Sequence, residues 1–228
     1  AARAEGLSGE ALEQALAAVA DTKRQELEVI QAVDLTLSYS EVERGVIEAE
    51  SLGSAATAPC PWVQECPSQP APLAGRQGLA FLGSYGHPPN RDAVAFWLRE
   101  LWPQLLERCP GQQLHLYGSG LNQELAAVWG QLPGVVIEGW VADPASVYSR
   151  HRLAIAPLRS GAGLKGKVIA AAGHGIPQLL SPLAAEASGL RHGQEVWIAH
   201  ATDDWLQGAE TLLTSDTQWQ GMAEAAHA

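Results

Sequence analysis

From Glu10 to Val33 the apolar residues Leu12, Leu16, Val19, Leu27 and Ile30 recur close to helical spacing, which predicts a helix. Val33, Leu35, Leu37 and Tyr39 then alternate with polar neighbours, the pattern of a strand with one apolar face. Ser40-Glu41-Val42-Glu43 has the form of a capping box, so a second helix is expected to start there and run towards Glu50. This strand and helix stand alone in the sequence, without the neighbours a parallel sheet requires. From Ser51 to Gly78 the text is Ala, Ser, Gly and Pro, including Pro59, Pro61, Pro67, Pro70 and Pro72, and it reads as a linker. Trp62 and Val63 within it are expected to form at most one short strand, and the domain boundary falls near Gly75.

Beyond that point apolar runs and amphipathic segments alternate. Strands are predicted at Leu79–Gly83, Gln113–Tyr117, Val135–Glu138, Leu153–Ala156, Pro177–Leu180 and Glu195–Ala199. Helices are predicted over Asn90–Cys109, with Asn90 near the N-cap, then over Asn122–Leu132 and Leu164–Gly173. Asp143-Pro144 opens a short helix as N-cap and N1 proline, and two more close the chain, from Asp203 to Leu213 and from Asp216 onward. Repeated β-α units imply an α/β fold: a parallel sheet with helices on both faces. Ligands of such folds bind outside the carboxyl ends of the strands, where strand order reverses.

The 228-residue chain is 46% hydrophobic and 17% charged, a globular composition. Lys plus Arg is 14 against 25 Asp plus Glu, a net charge of −11, which disfavours nucleic acid and anionic membranes as partners. No stretch reaches the roughly 18 apolar residues of a membrane helix. The opening residues Ala1 to Gly6 lack an initiator Met and an apolar leader, and read as the interior of a longer protein. Cys60, Cys66 and Cys109 have neither zinc nor disulfide-framework spacing, so a reducing cytoplasm is the expected setting.

Three loops following strands carry chemistry. Gly83-Ser84-Tyr85-Gly86-His87-Pro88-Pro89-Asn90 has glycines for close backbone approach and precedes a helix whose free N–H groups suit an anion; an ordinary βα turn would read the same way. Gly118-Ser119-Gly120 starts like a dinucleotide fingerprint, but Gln123 replaces the third glycine, which disfavours NAD. Arg159-Ser160-Gly161-Ala162-Gly163-Leu164-Lys165-Gly166-Lys167 gathers cations, a hydroxyl and glycines at a helix start in an acidic protein, an arrangement that suits a diphosphate. Its G-x-x-x-x-G-K match is followed by Val168 where a Walker A motif has a magnesium-binding hydroxyl, which disfavours an ATPase. Two solvated lysines are the plainer alternative. Tyr85 and Trp140 follow strands and are candidates to stack on a base, or simply half-buried aromatics. His87, His115 and His174 carry no metal-ligand spacing, and without an Asp-x-Asp pair no metal cofactor is expected.

Six of these segments in order resemble the C-terminal, donor-binding domain of glycosyltransferase family 4 enzymes of the GT-B fold. They are Phe81-Leu82-Gly83-Ser84 with His87-Pro88-Pro89-Asn90, Leu116-Tyr117-Gly118-Ser119, Gly139-Trp140-Val141, Ala156 to Val168, His174-Gly175-Ile176-Pro177, and Ala185-Glu186. Residues 33–43 resemble the end of the same enzymes' N-terminal domain. The resemblance implies a remnant of the acceptor-side domain over 1–55, an interdomain linker over 56–75, and a Rossmann-like donor domain over 76–228. It implies retaining transfer of a sugar from a nucleotide-diphosphate donor to a hydroxyl acceptor without a metal, in bacterial cell-surface polysaccharide or glycan synthesis. The setting would be the cytoplasm, at or near the inner membrane, with a glycan or lipid-linked acceptor bound by a half that is mostly absent. Lys165, Lys167 and Glu186 become the catalytic candidates. Gly83, Ser84, His87, Gly118, Trp140, Val141, Arg159, Gly161 and Gly163 become donor-binding candidates. One departure stands out: relatives carry a ribose-binding Glu where this chain has Ala170, which raises an inactive nucleotide- or partner-binding module as the alternative.

Overall fold

The computed structural model describes residues 8–228; the opening residues on which the reading of an interior start rests lie outside them. The chain forms two compact units: described residues up to Val63 together with Ser160–Leu164, and Gln64–Arg159 together with Lys165–Ala228.

In the first unit, α1 spans Gly9–Ala32 and has no buried residue. Its polar face is laced by Arg24, which binds Asp21 and, at 3.2 Å, Glu28. Strand β1 (Thr36–Ser38) is shorter than the alternation predicted. Helix α2 (Glu41–Glu50) starts at Ser40, whose hydroxyl accepts from the Glu43 N–H at 3.3 Å. The expectation that β1 has no partner is corrected: β2, Thr57–Pro59, pairs with it in parallel, Thr36 opposite Thr57 and Ser38 opposite Pro59. A proline is admissible there because it ends an edge strand, and the next N–H, from Cys60, bonds the Ser38 carbonyl at 2.8 Å. Trp62 and Val63 are outside any strand.

The second unit is built on six parallel strands: β3 (Gln77–Leu82), β4 (Leu114–Tyr117), β5 (Val135–Gly139), β6 (His151–Ala156), β7 (Gln178–Leu180) and β8 (Trp197–Ile198). Their spatial order is β5-β4-β3-β6-β7-β8, so the chain winds outward from β3 and then restarts beside it with β6. Register is set by Leu79 facing Leu114 on one side and Leu153 on the other, all three fully buried. This is the Rossmann-like α/β architecture with helices on both faces.

Strand alternation gives the two faces different depths. Leu79, Phe81, Leu114, Leu116 and Leu153 share a large cluster with Trp97, Trp102, Leu105 and Trp205 from the helices. Among them Trp97 and Trp205 meet edge to face at 5.7 Å. Elsewhere Ala154, Ala170 and Ala171 pack with Tyr148 and Ile176, and small side chains let helix approach sheet closely. Helix α3 (Pro88–Phe96) continues through a π-helical turn, Trp97–Leu101, into α4 (Trp102–Arg108). The cause is local: Pro103 has no N–H to give, and the Trp102 N–H instead bonds the Trp97 carbonyl five residues back. The remaining helices are α5 (Gln123–Gly130), α6 (Pro144–Arg150), α7 (Gly166–Gly173), the short α8 (Pro182–Ala185), α9 (Thr202–Thr214) and α10 (Asp216–His227). Asn122 and Asp143 cap α5 and α6 through the N–H groups of Leu125 and Ala145. The sequence reading contains no α8, whose four residues show no periodicity.

Two buried polar groups lock the amino-terminal ends of the central strands. Arg76, 5% exposed, donates to the carbonyls of Ala71 (2.8 Å), Pro72 (3.1 Å), His151 (3.1 Å) and Tyr148, and its guanidinium lies 4.9 Å from the Trp219 ring. Without a carboxylate partner, burial lowers its pKa to about 10. His151, 1% exposed, donates from Nδ1 to the Gln77 carbonyl at 3.1 Å, so its Nε2 is the acceptor for the Tyr117 hydroxyl at 2.9 Å. Beside it, 4.4 Å between ring centres, His115 contacts Glu138 through Nδ1 at 2.7 Å.

Arg76→Ala would orphan the buried carbonyls of Tyr148 and His151 and remove a donor from the partly buried ones of Ala71 and Pro72, and loss of about 3 kcal/mol or more is expected in urea titration, with Arg76→Lys intermediate. Burial also lowers the His151 pKa from 6.5 to about 4. The neutral ring is therefore favoured in the folded state: above about pH 6.5 the group costs nothing, and stability falls as pH drops towards 4, by about 3 kcal/mol in all. His151→Gln should flatten that limb of a stability-against-pH curve.

Candidate functional site

Because every strand of the second unit runs the same way, the loops after β3, β4, β5, β6 and β7 gather at one edge of the sheet. The order reverses between β3 and β6, and the crevice expected of such a fold opens outside their carboxyl ends.

The loop after β3 is fixed by the loop after β4. The Gly83 N–H bonds the Tyr117 carbonyl at 3.1 Å, and the Tyr85 N–H bonds the Ser119 carbonyl at 2.7 Å. Gly118, at φ +133°, is pressed against the Gly83 carbonyl, so that a Cβ would collide with backbone. Its glycine is required by this loop-to-loop contact, a demand separate from any ligand. Tyr85, which reads as either a base-stacking or a half-buried aromatic, is fully buried between Phe81 and Trp129, its hydroxyl without a partner among the described residues, and it cannot stack on a base. Ser84 and His87 are exposed, with His87 at the N-cap position of α3. After β5, Trp140 is 72% exposed while Val141 packs back towards Tyr117 and Val147.

Asn90 is the residue whose part differs most from its expected one. It is buried inside the first turn of α3 instead of capping it. Its amide donates to the Ser84 carbonyl at 2.9 Å, and its oxygen accepts from the Lys167 ammonium at 2.8 Å. Lys167, at the start of α7, thus reaches across from the β6 side to the β3 side of the crevice. Its nitrogen lies 4.4 Å from the centre of the Phe81 ring. A neutral amide and a ring face are weak compensation for lost water, and desolvation lowers its pKa to about 8.

The other cations are placed differently. Lys165 is nearly buried, 9% of its side chain exposed, and its ammonium lies 3.4 Å from the Glu186 carboxylate. Glu186 ends α8, and Ala187 after it takes φ +61°, a left-handed turn that costs a residue with a Cβ about 1 kcal/mol. Arg159 is clamped in a two-point ion pair with Asp92 of α3, with its guanidinium 5.0 Å from the Phe96 ring. The sequence reading treats Arg159 as a cation for a ligand; in the structure its charge is already matched, and it joins the two sides of the crevice. A small cavity of about 20 Å³ behind Lys167, bordered by Leu82, Tyr148, Ala156 and Gln178, has room for about one water and no nucleotide.

Gly161 (φ +113°) and Gly163 (φ +73°) lie in the glycine loop, Ser160–Leu164, which belongs to the first unit. Within that unit Gly163 touches Glu43. Asp92 and Glu43 were outside the sequence-derived set; Asp92 had no signal in the sequence, and Glu43 was absorbed by the capping-box pattern. Among the described residues no three His, Cys, Asp or Glu side chains group as a metal site, and no helix is long and apolar enough to cross a membrane.

Ala170 lies on α7, 8% exposed, against Tyr148 and Ala154, and its carbonyl accepts from His174 Nδ1 at 2.8 Å. His174 is thereby a packed loop histidine, as its sequence position suggests.

Known proteins resemble this chain in sequence or in fold. A "44.6 kDa protein in cps region" of Klebsiella pneumoniae is 23% identical over 156 residues, 65% of this chain and 39% of that protein. Staphylococcus aureus TarM superposes with a TM-score of 0.75 at 13% identity, over 91% of this chain and 42% of its own. The pneumococcal O-GlcNAc transferase GtfA, solved with UDP and GlcNAc, gives 0.69 at 15% identity, over 89% and 42%. The chain thus spans about two fifths of the length of each of these relatives. Their GT-B architecture matches the parallel sheet described above. The family model described as Glycosyl transferases group 1 matches residues 76–215, more than half of the sequence, and this chain belongs to that family.

Proposed function

We propose that this chain is the donor-binding part of a retaining, family 4 glycosyltransferase that moves a sugar from a nucleotide-diphosphate donor to a hydroxyl acceptor. The observation that carries the reading is Lys167: an ammonium drawn into the crevice at the sheet's switch point, with only an amide and a ring for partners among the described residues. An arriving diphosphate would supply the anion that this cation lacks. Gly83, Ser84 and His87 would allow and bound its approach, Trp140 and Val141 would border the base, and Lys165 with Glu186 would face the sugar and its leaving diphosphate. Gly118 serves the site by holding the Gly83 loop, and Arg159 by bracing it through Asp92. Charge neutralisation by lysines makes a metal unnecessary in this reading.

On the same reading, residues 1–55 are the end of an acceptor-side domain, 56–75 a linker and 76–228 the donor domain. The acceptor, a glycan or lipid-linked sugar, would bind mainly on residues outside this chain, which by itself is not expected to turn over. The cps-region relative supports a part in polysaccharide synthesis; the same reading places that part in bacterial cell-surface synthesis, on the cytoplasmic side and peripheral to the inner membrane. The UDP-bound neighbour makes a uridine donor the first to test.

Ala170 favours a second reading, an inactive module of the same fold. With an apolar contact where relatives place a ribose carboxylate, the helix offers the ribose no hydrogen bond from this position. Loss of such a bond costs about 1–3 kcal/mol, a weakening that leaves the diphosphate contacts standing.

Calorimetric titration with UDP, GDP, ADP and dTDP, with and without magnesium, distinguishes the readings. Binding of one of them without metal is expected; silence from all four in a folded sample favours the inactive module. Lys167→Ala should weaken the bound diphosphate by about tenfold or more and leave the matching nucleoside unchanged. Since the Lys167 pKa is about 8, the cation is present below that pH and lost above it. Diphosphate affinity should therefore fall as pH rises through 8, more shallowly in Lys167→Arg, whose cation persists.

A further inference from the structure

Of the cations that follow β6, two are held by carboxylates: Arg159 by Asp92 at 2.9 Å and Lys165 by Glu186 at 3.4 Å. Lys167 is held by a neutral amide, its ammonium 2.8 Å from Asn90 Oδ1. An ammonium only donates and a carbonyl only accepts, so this amide has one orientation, with Nδ2 turned to the Ser84 carbonyl at 2.9 Å. The same carbonyl accepts from the His87 N–H at 3.3 Å, and the Asn90 N–H bonds the His87 carbonyl at 3.1 Å. Asn90 also lies against Gly83, where a Cβ would stand 2.9 Å from Nδ2, so Gly83 makes room for this side chain. The charged neighbours of Asn90 on α3 are committed elsewhere: Arg91 donates to the Tyr85 carbonyl at 2.7 Å, and Asp92 pairs with Arg159. All of these residues belong to the second unit.

An amide is the group of this size that donates to a carbonyl and accepts from an ammonium without carrying charge. Leucine would do neither. Aspartate would repel the Ser84 carbonyl and would answer the charge of Lys167, as Asp92 and Glu186 answer those of their partners. We propose that Asn90 is a positioning residue of the diphosphate site: it anchors the Lys167 ammonium and the Ser84 backbone together while leaving the cation's charge for the ligand. A lysine already anchored has little side-chain freedom left to lose when an anion arrives. The inference rests on the donor-binding reading and adds to it a residue that need not touch the donor.

The test combines nuclear magnetic resonance with calorimetry on the whole chain. The sequence has three lysines, Lys23, Lys165 and Lys167, so carbon-13-labelled lysine gives separable titrations. Behind Lys167 the packed groups are Leu82 of β3, Ala156 of β6, Gln178 of β7 and Tyr148 of α6; of these Tyr148 titrates, and burial raises its pKa, which keeps it protonated. Asn90→Asp is expected to raise the Lys167 pKa from about 8 to about 9 or above. It should also weaken whichever of UDP, GDP, ADP and dTDP binds by about tenfold at neutral pH, with the matching nucleoside unchanged. Asn90→Ala should weaken the diphosphate by about threefold or more, and add nothing in a chain that already carries Lys167→Ala. A Lys167 titration unmoved by Asn90→Asp overturns the positioning role; it is read without ligand, and so stands even where Asn90→Ala fails to fold. Losses from Asn90→Ala and Lys167→Ala that add in full overturn it as well, and both results leave the donor reading in place. Failure of wild type to bind any of the four diphosphates overturns the donor reading, and this inference with it.

Discussion

The second unit depends on the pairing of β3 with β6, two strands more than seventy residues apart that lie side by side in parallel, Leu79 against Leu153. Everything at the crevice follows from that adjacency. It brings the start of α3 and the start of α7 to the same edge, where Asn90 meets Lys167 and Asp92 meets Arg159. At the other end of the same strands, Arg76 and His151 tie the chain leading into β3 to the beginning of β6. The pairing is thus fixed at both ends by polar contacts and in the middle by fully buried leucines, and the crevice inherits its geometry from the core.

The polar contacts at the two ends differ in kind. At the amino-terminal end, donors and acceptors are matched: the Arg76 fork is filled by carbonyls, and His151 uses both ring nitrogens. At the carboxyl end the matching is incomplete, with a lysine resting on an amide and a ring. Groups at the amino-terminal end are thus satisfied within the protein, whereas Lys167 is the cation that the proposed diphosphate would complete.

Much of this was legible along the chain. The six strands of the sheet and most of its helices follow from apolar runs, caps and prolines, because those signals are local. The β2 strand was missed because Thr57-Ala58-Pro59 has no periodicity of its own and exists only through its partner twenty-one positions earlier. For Tyr85 the position after a strand leaves base stacking and half-burial both open, and the bond from its N–H to Ser119, which draws the loop inward and the ring into the core, has no local signal. Lys167 stood out as a cation near glycines, whereas its partner Asn90, seventy-seven residues away, read only as a cap. Arg159 illustrates the limit most directly. A sequence displays its charge but not the aspartate that already answers it.

The π-helical turn at Trp97–Leu101 has a consequence for what the helix presents at each end. A helix has a single angular phase, so a residue facing the core at one end dictates which residues face it at the other. One extra residue in the backbone cycle breaks that dependence. The α3 end, with Asn90 and Asp92, is oriented for the crevice, while Trp102 and Leu105 of α4 are oriented for the interior. The turn therefore resets the phase of the helix partway along, so that one continuous rod presents Asn90 and Asp92 to the crevice at one end and Trp102 and Leu105 to the tryptophan core at the other.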